Sequence, residues 1–339
     1  MSTRILCLFS GGLDSLLTAR VLKEADAEVE ALHFITPFTG SAERLRGENY
    51  LEEWGINLRR IRISLQEFRP LLEKPPHGFG RALNPCIDCK ILFLRKACEI
   101  ADAEGFDAVA TGEILGERPM SQNRQSLDVI ERAAGLKGRL LRPLSAKLLP
   151  ETEVEKQGLI DREKLLDIQG RSRKPQFELA ERWGITEFAT PAGGCLLTEP
   201  QYSSKLKDLL DHPGEATDET VALLKTGRHF RYPEGPKLVV GRNEAENKML
   251  LLHTGKDRVF FEVKHIGSPI GLLFAEGNRL KAGSPQENEV LSWGAKIVAR
   301  YSDAKKEPQV TVTWWNKEGA ERTLFVAPAK DSELEGWRL

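Results

Sequence analysis

The sequence predicts an α/β fold, a doubly wound parallel sheet, followed by a smaller α+β domain. Three observations predict it. Apolar runs of strand length alternate with stretches of helical spacing early in the chain, which is typical of parallel sheets covered by helices. A glycine-rich turn directly follows the first of these runs. Beyond residue 212 helical spacing becomes sparse, so we place a boundary there and expect domains 1–212 and 213–339.

Length and composition restrict the class of protein. The chain has 339 residues, 40% hydrophobic content and a formal net charge of -1, which suits a two-domain globular protein and still allows a local basic face. We expect no signal peptide, and the sequence contains no apolar stretch of the roughly 18 residues that a spanning helix needs. We therefore expect a cytoplasmic protein without membrane association. Five cysteines do not describe a disulfide framework.

The glycine-rich turn is Ser10-Gly11-Gly12-Leu13-Asp14-Ser15, between an apolar run and a segment of helical spacing. Glycines let the backbone approach a ligand, and free N–H groups at a helix start favour an anion. Ser10 and Ser15 add hydroxyl donors. Asp14 would repel a bare phosphate, so its presence indicates a bound Mg²⁺. Ordinary turn chemistry is the alternative explanation for a lone pair of glycines.

The remaining elements of the first domain follow from the apolar runs. Further strands are expected at 29–34, 58–63, 107–111 and 140–144, with a helix near 44–54. Ligands of such sheets bind at the carboxyl ends of strands. The glycine-rich turn and Thr111-Gly112-Glu113 both fall at such ends. Residues 116–139 are polar and rich in arginine, and they form either a solvated surface or an RNA-facing lip over the site.

The second domain is expected to be mainly antiparallel. Its one long helical segment is 287–301. Strands are expected at 237–240, 249–253, 259–264, 270–276, 310–315 and 324–326.

The hexapeptide from Ser10 to Ser15 resembles the PP-loop of the ATP pyrophosphatases, with their pattern Ser-Gly-Gly-x-Asp-Ser. The resemblance implies an adenine nucleotide alpha hydrolase-like fold and cleavage of ATP between its α and β phosphates. By the same resemblance a short set of residues would bind the nucleotide with Mg²⁺: Ser10, Gly11, Gly12, Asp14, Ser15, Phe34, Thr111 and Gly112. Many relatives carry Thr-Gly-His where this chain has Thr-Gly-Glu.

Three cysteines stand in turn-like contexts. Cys86 and Cys89 follow Asn84-Pro85 at the expected start of a helix, and Cys195 follows two glycines. A helix start lowers a thiol pKa. Structural zinc usually needs four protein ligands, whereas three thiolates suit an iron–sulfur cluster with one open iron that could hold sulfide. A persulfide relay between cysteines remains the rival explanation.

These cysteines resemble those of PP-loop enzymes that thiolate tRNA, such as 4-thiouridine synthetases and 2-thiouridylases. Cys86 stands where the 2-thiouridylase motif has Asp, which favours the cluster-bearing variant of the family. The resemblance implies that Cys86, Cys89 and Cys195 bind a 4Fe-4S cluster and, with Asp14, carry the catalysis. Persulfide relay and structural zinc stay open.

Three segments of the second domain resemble the RNA-binding domain of NFACT proteins, over roughly residues 226–316: 237–243 with Asn247, 260–264 and 299–305. Arg242, Lys264, Arg300 and Lys305 are the candidate phosphate contacts, and Trp314 or Trp315 could stack on a base. The alternative is a structural domain whose tryptophans lie in its core. Gly267-Ser268-Pro269 departs from the Gly-Ser-His of that family, so no histidine contact is inferred there.

Taken together, the resemblances imply an ATP-dependent tRNA sulfurtransferase that acts through an adenylated uridine and releases AMP and pyrophosphate. Its partners would be tRNA and a separate sulfur donor, whether a cysteine desulfurase, a sulfur carrier or free sulfide. The sequence leaves two alternatives, a PP-loop amide-forming ligase and a non-catalytic RNA-binding factor. Neither the tRNA position nor the oligomeric state follows from it.

Overall fold

The computed structural model describes residues 2–39, 45–189, 195–212, 214–233, 235–255, 257–274, 285–317 and 319–339. They form two compact units, Met1–Glu199 and Pro200–Leu339. The sequence-based boundary after residue 212 lies at the end of the first helix of the second unit. That helix is tied to the second unit by an ion pair between Asp208 and Arg231. No helix within the described ranges is long and apolar enough to cross a membrane.

The first unit alternates strands and helices. Its strands are β1 (Arg4–Leu8), β2 (Glu28–Ile35), β3 (Asn57–Arg62), β4 (Ala108–Ala110) and β5 (Leu140–Leu141). Its α-helices are α1 (Leu13–Glu24), α2 (Glu48–Glu53), α3 (Leu65–Glu73), α4 (Cys86–Glu104), α5 (Arg124–Ala133), α6 (Glu153–Lys156) and α7 (Lys174–Arg182). Short 3-10 turns cover Ala146–Leu148, Arg162–Lys164 and Leu196–Thr198. The polar stretch 116–139 thus contains one regular helix, α5.

The five strands form one parallel sheet in the order β3-β2-β1-β4-β5. The chain runs outward from β1 to β3 and then returns to the other side of β1 as β4. Strand order therefore reverses between β1 and β4, and such a reversal opens a crevice at the carboxyl ends of the two strands. This arrangement confirms the predicted doubly wound fold.

Burial explains why β1 has no polar alternation. Ile5, Leu6 and Cys7 are fully buried because helices cover both faces of the sheet. Leu16 and Leu17 of α1 are equally buried in the same core. The first strand and the first helix thus hold the turn between them on a rigid base.

The second unit is built on an antiparallel sheet. Its strands are β6 (Arg228–Arg231), β7 (Lys237–Val240), β8 (Arg258–Glu262), β9 (Gly271–Phe274), β10 (Val310–Asn316) and β11 (Arg322–Val326), in the order β11-β10-β8-β9-β7-β6. Its helices are α8 (Pro200–Asp211), α9 (Asp218–Leu223), α10 (Glu244–Leu251), α11 (Pro285–Arg300) and α12 (Asp331–Trp337). The prediction of a smaller, mainly antiparallel α+β domain is confirmed.

Alternation along β7 supplies both faces of this sheet. Leu238 and Val240 pack into the core that α11 covers, whereas Val239 packs with residues of α9 and α10 on the other face. All three side chains are buried. A sheet covered on both faces explains why residues 238–240 of β7 are all apolar.

The strand expected at residues 249–253 is wrong, because that run belongs to α10 and the turn after it. The Asn243 side chain accepts a hydrogen bond from the Glu246 N–H and begins the helix. Leu250 is fully buried, but Leu252 is 80% exposed. A short apolar run does not distinguish a strand from a helix, and here the cap decides.

A buried ion network joins α8 to the sheet of the second unit. Arg231 donates to both Asp208 and Glu215, at 2.6 and 2.7 Å, and Lys237 donates to Asp208 at 3.0 Å. Burial lowers the pKa of Lys237 to about 8 despite its carboxylate partner. Burial alone would raise the pKa of Asp208, but the hydrogen bonds from Arg231 and the charge of Lys237 lower it overall. The network is therefore costly to break at a single member.

We expect Asp208→Asn to reduce the free energy of unfolding by about 3–5 kcal/mol, because two buried cations would share one carboxylate. Urea unfolding at neutral pH measures this loss. Asp211→Asn, on an exposed position of the same helix, is the matched control and should change stability by less than about 0.5 kcal/mol. Equal effects of the two substitutions would contradict the assigned role of the network.

Candidate functional site

The turn between β1 and α1 is closed by its own hydrogen bonds. The Ser15 hydroxyl donates to the Gly12 carbonyl at 2.8 Å, and the Ser10 N–H donates to Ser15 Oγ at 3.3 Å. Gly11 has a φ of 76°, a conformation that favours glycine. In the described part of the chain no side chain caps the start of α1 at Gly12. The first N–H groups of α1 are therefore available to an anionic ligand.

Gly112 brings the end of β4 against this turn. A Cβ atom on Gly112 would lie 2.8 Å from the carbonyl carbon and oxygen of Asp14. Only a glycine allows this approach without moving the backbone. The structure thus places the two glycine-containing turns side by side at the strand-order reversal. Nucleotide contact by Thr111 and Gly112 stays a prediction.

Glu113 is occupied by its own cations. Lys90 Nζ lies 2.6 Å from one carboxylate oxygen, and Arg142 Nε donates to the other at 3.0 Å. Burial alone would raise the pKa of Glu113, but these two cations lower it to about 2. Glu113 is therefore a structural charge that fixes α4 to the end of β4.

We expect Glu113→Gln to lower the free energy of unfolding at pH 7 by about 3 kcal/mol, from the shift between a pKa of about 2 and the usual 4.5. A depressed carboxylate pKa stabilises the fold above the unfolded value and loses this contribution as pH falls. The difference in the free energy of unfolding between variant and wild type should therefore become smaller as the pH falls from 4.5 towards 2. Denaturant unfolding at several pH values measures it, and a pH-independent difference would contradict the ion-pair explanation.

The charge of the Asp14 carboxylate is only partly balanced by the cations near it. Burial raises the pKa of its side chain, and the charges of Arg173 and Arg118 only partly oppose this. Arg173 Nη2 lies 4.0 Å from Asp14 Oδ1, beyond hydrogen-bond distance. Within the described residues, Asp14 Oδ1 has no hydrogen-bond partner. Such an oxygen is suited to a ligand from outside the chain.

Phe34, predicted to contact the nucleotide, lies at the end of β2 and is buried. Its ring stacks on Phe93 of α4, with centroids 4.8 Å apart and 16° between the ring planes. This contact holds α4 against the sheet. A contact between Phe34 and a nucleotide remains a prediction.

Cys86 and Cys89 lie one turn apart at the start of α4, and the Asn84 amide donates to Cys86 Sγ at 3.2 Å. The pKa of Cys89 is raised by burial and then by the charges of Cys195 and Cys86, so the three thiols influence one another. Burial also raises the pKa of Cys195. Among the described residues, no three His, Cys, Asp or Glu side chains are arranged to hold a metal ion.

The segment that leads to Cys195 is anchored at both ends to the sheet edge that bears the turn. The Ala189 N–H donates to the Gly11 carbonyl at 2.8 Å, and the Leu196 N–H donates to the Phe38 carbonyl at 3.2 Å. Residues 190–194 between these anchors are outside the described part. The third cysteine thus belongs to the same edge as the glycine-rich turn.

Sequence reasoning missed a contact beside the cysteine pair. His77 Nδ1 lies 2.7 Å from Asp88 Oδ1, and the His77 N–H donates to Asp88 Oδ2 at 3.0 Å. Asp88 is 4% exposed. The contact fixes the loop before α4 to its first turn. An acidic residue between two cysteines was the only signal in the sequence.

Three of the four predicted RNA contacts already have an acidic partner in the second unit. Arg242 pairs with Glu246, Lys264 with Glu321 at 2.7 Å, and Arg300 with Asp331 at 2.7 Å. Lys305 is exposed and has no ion pair among the described residues. Because exposed pairs contribute little stability, a phosphate can replace the acid at small cost. Contacts of these cations with RNA stay a prediction.

The two adjacent tryptophans differ. Trp314 is 8% exposed and belongs to the core under α11, as the structural alternative expected. Trp315 is partly exposed, stacks on Phe260 with centroids 5.6 Å apart, and has Lys264 Nζ 5.7 Å from its ring centroid. Of the two, Trp315 is the one whose ring can meet a base.

Two family models match this chain. Residues 1–148 match the family described as thiamine biosynthesis protein (ThiI), and residues 227–338 match the NFACT protein RNA binding domain. The first match lies within the unit with the parallel sheet, and the second lies within the unit with the antiparallel sheet.

Known relatives are similar over part of their length. A protein of Brevibacillus brevis named "Probable tRNA sulfurtransferase" is 27% identical over 216 residues, 62% of this chain and 49% of that protein. The "tRNA sulfurtransferase" of Desulfurococcus amylolyticus is 30% identical over 148 residues, 42% of this chain and 30% of that protein. The chain thus spans at most about half the length of these relatives.

Among solved structures, a 4-thiouridine synthetase in complex with RNA and ATP is similar to this chain. The TM-score is 0.37 and the identity 19%, over 65% of this chain and 53% of that one. A similarity this low says nothing about the chemistry of the site.

Proposed function

We propose that this chain is an ATP-dependent tRNA sulfurtransferase that replaces a uridine carbonyl oxygen with sulfur. The observation that carries the proposal is that the segments bearing the cysteines are tied to the turns that would hold ATP. Lys90, next to Cys89, pairs with Glu113 beside Gly112, and the segment leading to Cys195 begins on Gly11. Activation and sulfur transfer need such proximity, because the activated base must meet the sulfur before water does.

The first step would be adenylation of the uridine. The free N–H groups at the start of α1 would bind the phosphates of ATP, and Asp14 would hold the Mg²⁺ that accompanies them. The uridine oxygen attacks the α-phosphorus, the bond from that phosphorus to the bridging oxygen of the β-phosphate breaks, and pyrophosphate leaves. The carbonyl oxygen then departs as part of AMP, a far better leaving group than hydroxide.

The second step would replace AMP by sulfur. A hydrosulfide ion attacks the carbon that bears the AMP group, the carbon–oxygen bond breaks, and AMP carries the electron pair and the oxygen away. The proton of the hydrosulfide passes to solvent. The target uridine must be exposed or turned out of its stack to reach this edge of the sheet.

The three cysteines supply the thiolate donors that iron–sulfur clusters use, although in the described part of the chain their side chains are not arranged around a metal position. The charges of Cys195 and Cys86 act on the Cys89 thiol, and the Asn84 amide donates to Cys86 Sγ, a hydrogen bond of the kind that tunes clusters. Cys86, Cys89 and Cys195 would hold the cluster, and a bound 4Fe-4S cluster with one open iron would supply a binding position for inorganic sulfur. The rival is a persulfide relay, in which a thiol reductant would restore the cysteines.

RNA recognition would be shared between the units. The NFACT RNA-binding domain would hold the tRNA body through Arg242, Lys264, Arg300 and Lys305, with Trp315 stacking on a base. Sulfur would come from a separate donor, a desulfurase, a carrier protein or free sulfide.

We expect the full chain to form AMP and pyrophosphate from ATP in the presence of unmodified tRNA and sulfide. Asp14→Asn should lower the rate of AMP formation about 100-fold, because the metal-bound phosphates lose their carboxylate. Asp167→Asn, on an exposed position of the same unit, is the control and should leave the rate unchanged. AMP formation that depends on an amine instead of sulfide would favour an amide-forming ligase.

We expect protein purified without oxygen to contain about four iron and four sulfide per chain, and Cys195→Ala to lose them. Cys98→Ala should retain them, since Cys98 lies on α4 more than two turns beyond Cys89 and contacts Asp102. Stoichiometric zinc would identify a structural site. Absence of metal together with reactive thiols would favour the persulfide relay.

A further inference from the structure

Three polar residues from two segments surround Asp14 and have no role in the turn itself. Glu117 lies in the loop after β4, while Arg173 and Gln176 lie at the start of α7. The loop is closed by the Gly116 N–H, which donates to the Gln122 carbonyl at 2.7 Å, and by the Gln122 N–H, which donates to the Arg118 carbonyl at 2.8 Å. The loop that carries Glu117 is therefore fixed by its own backbone, and the charge of Asp14 acts on the Glu117 carboxylate.

Several polar atoms of these residues are buried without a hydrogen-bond partner. Within the described part of the chain, Asp14 Oδ1, Glu117 Oε2 and both polar atoms of the Gln176 amide are buried and make no hydrogen bond. Gln176 is fully buried, and its amide acts on the Asp14 carboxylate and lowers the pKa of that group. Leaving such atoms unpaired is costly, so a group that binds them is expected.

The two carboxylates also repel each other. Burial raises the pKa of Glu117, and the charge of Asp14 raises it further. Arg118 and Arg173 oppose this only in part, and Arg173 stays 4.0 Å from Asp14 Oδ1. Two like charges that act on each other, each with one buried oxygen that makes no hydrogen bond among the described residues, are suited to a cation.

We propose that Glu117 and Asp14, with the amide oxygen of Gln176, form a divalent-cation site at the phosphate end of the nucleotide pocket. This proposal rests on the proposed use of ATP. Mg²⁺ prefers oxygen ligands and usually takes one or two carboxylates together with substrate phosphates. Arg118 and Arg173 then remain to bind the phosphate oxygens. The metal ion would bind the carboxylates, and the guanidinium groups would bind the phosphates.

The test uses the full chain, Mn²⁺ as the probe metal and α,β-methylene ATP, which cannot release pyrophosphate. Bound Mn²⁺ is measured by electron paramagnetic resonance at a fixed concentration of the analogue. Glu117→Gln should weaken Mn²⁺ binding about tenfold or more, the loss expected for one charged ligand. Analogue binding in the absence of metal should not weaken. Glu181→Gln, on an exposed position of α7, is the matched control and should bind Mn²⁺ like the wild type.

Unchanged Mn²⁺ binding by Glu117→Gln, with normal analogue binding, would overturn the cation site and leave the proposed function intact. Failure of the wild-type chain to bind the analogue with or without Mn²⁺ would overturn both. Thermal unfolding distinguishes a misfolded variant from a true loss of the metal. Because Glu117→Gln removes a repelled, partly buried charge, its melting temperature should equal or exceed that of the wild type. Asp14→Asn provides a second variant, which should lose Mn²⁺ in the same assay.

Discussion

The packing of Gly112 against the backbone of Asp14 is the contact on which the rest of the site depends. It exists because strand order reverses between β1 and β4, so that the two chain segments leave the sheet side by side. A side chain at residue 112 would push the start of α1 away from the end of β4. This edge of the sheet carries the free N–H groups of α1, the Asp14 carboxylate and the segments that bear the cysteines. Their positions depend on the close approach of Gly112 to Asp14.

Charge is distributed unequally along the short stretch after β4. Glu113 is paired with Lys90 and Arg142, whereas Glu117, four residues further on, has an oxygen without a partner among the described residues. The ion pairs of Glu113 join α4 to the sheet. The unpaired oxygen of Glu117 is the one that we assign to a ligand. The two carboxylates differ in their surroundings, because Glu113 is buried and bonded to two cations, whereas Glu117 is half-buried.

Much of the fold and part of the site could be predicted from the sequence, for identifiable reasons. The glycine-rich turn follows a strand too apolar to be anything but central, and the alternation of strands and helices determines a parallel sheet. Gln176 and Glu117 could not be found, because their importance comes from their position in the fold relative to Asp14 and not from any pattern of spacing. The run at 249–253 was misassigned because the cap at Asn243, six residues earlier, decides its structure.

Two backbone hydrogen bonds, one on each side of residues 190–194, link the chain around Cys195 to the edge of the sheet that bears the glycine-rich turn. The carbonyl of Gly11 that shapes the turn also accepts the Ala189 N–H, and Phe38 receives the chain again at Leu196. Because the Gly11 carbonyl accepts the Ala189 N–H, a substitution that shifts the glycine-rich turn would also shift the chain that leads towards Cys195.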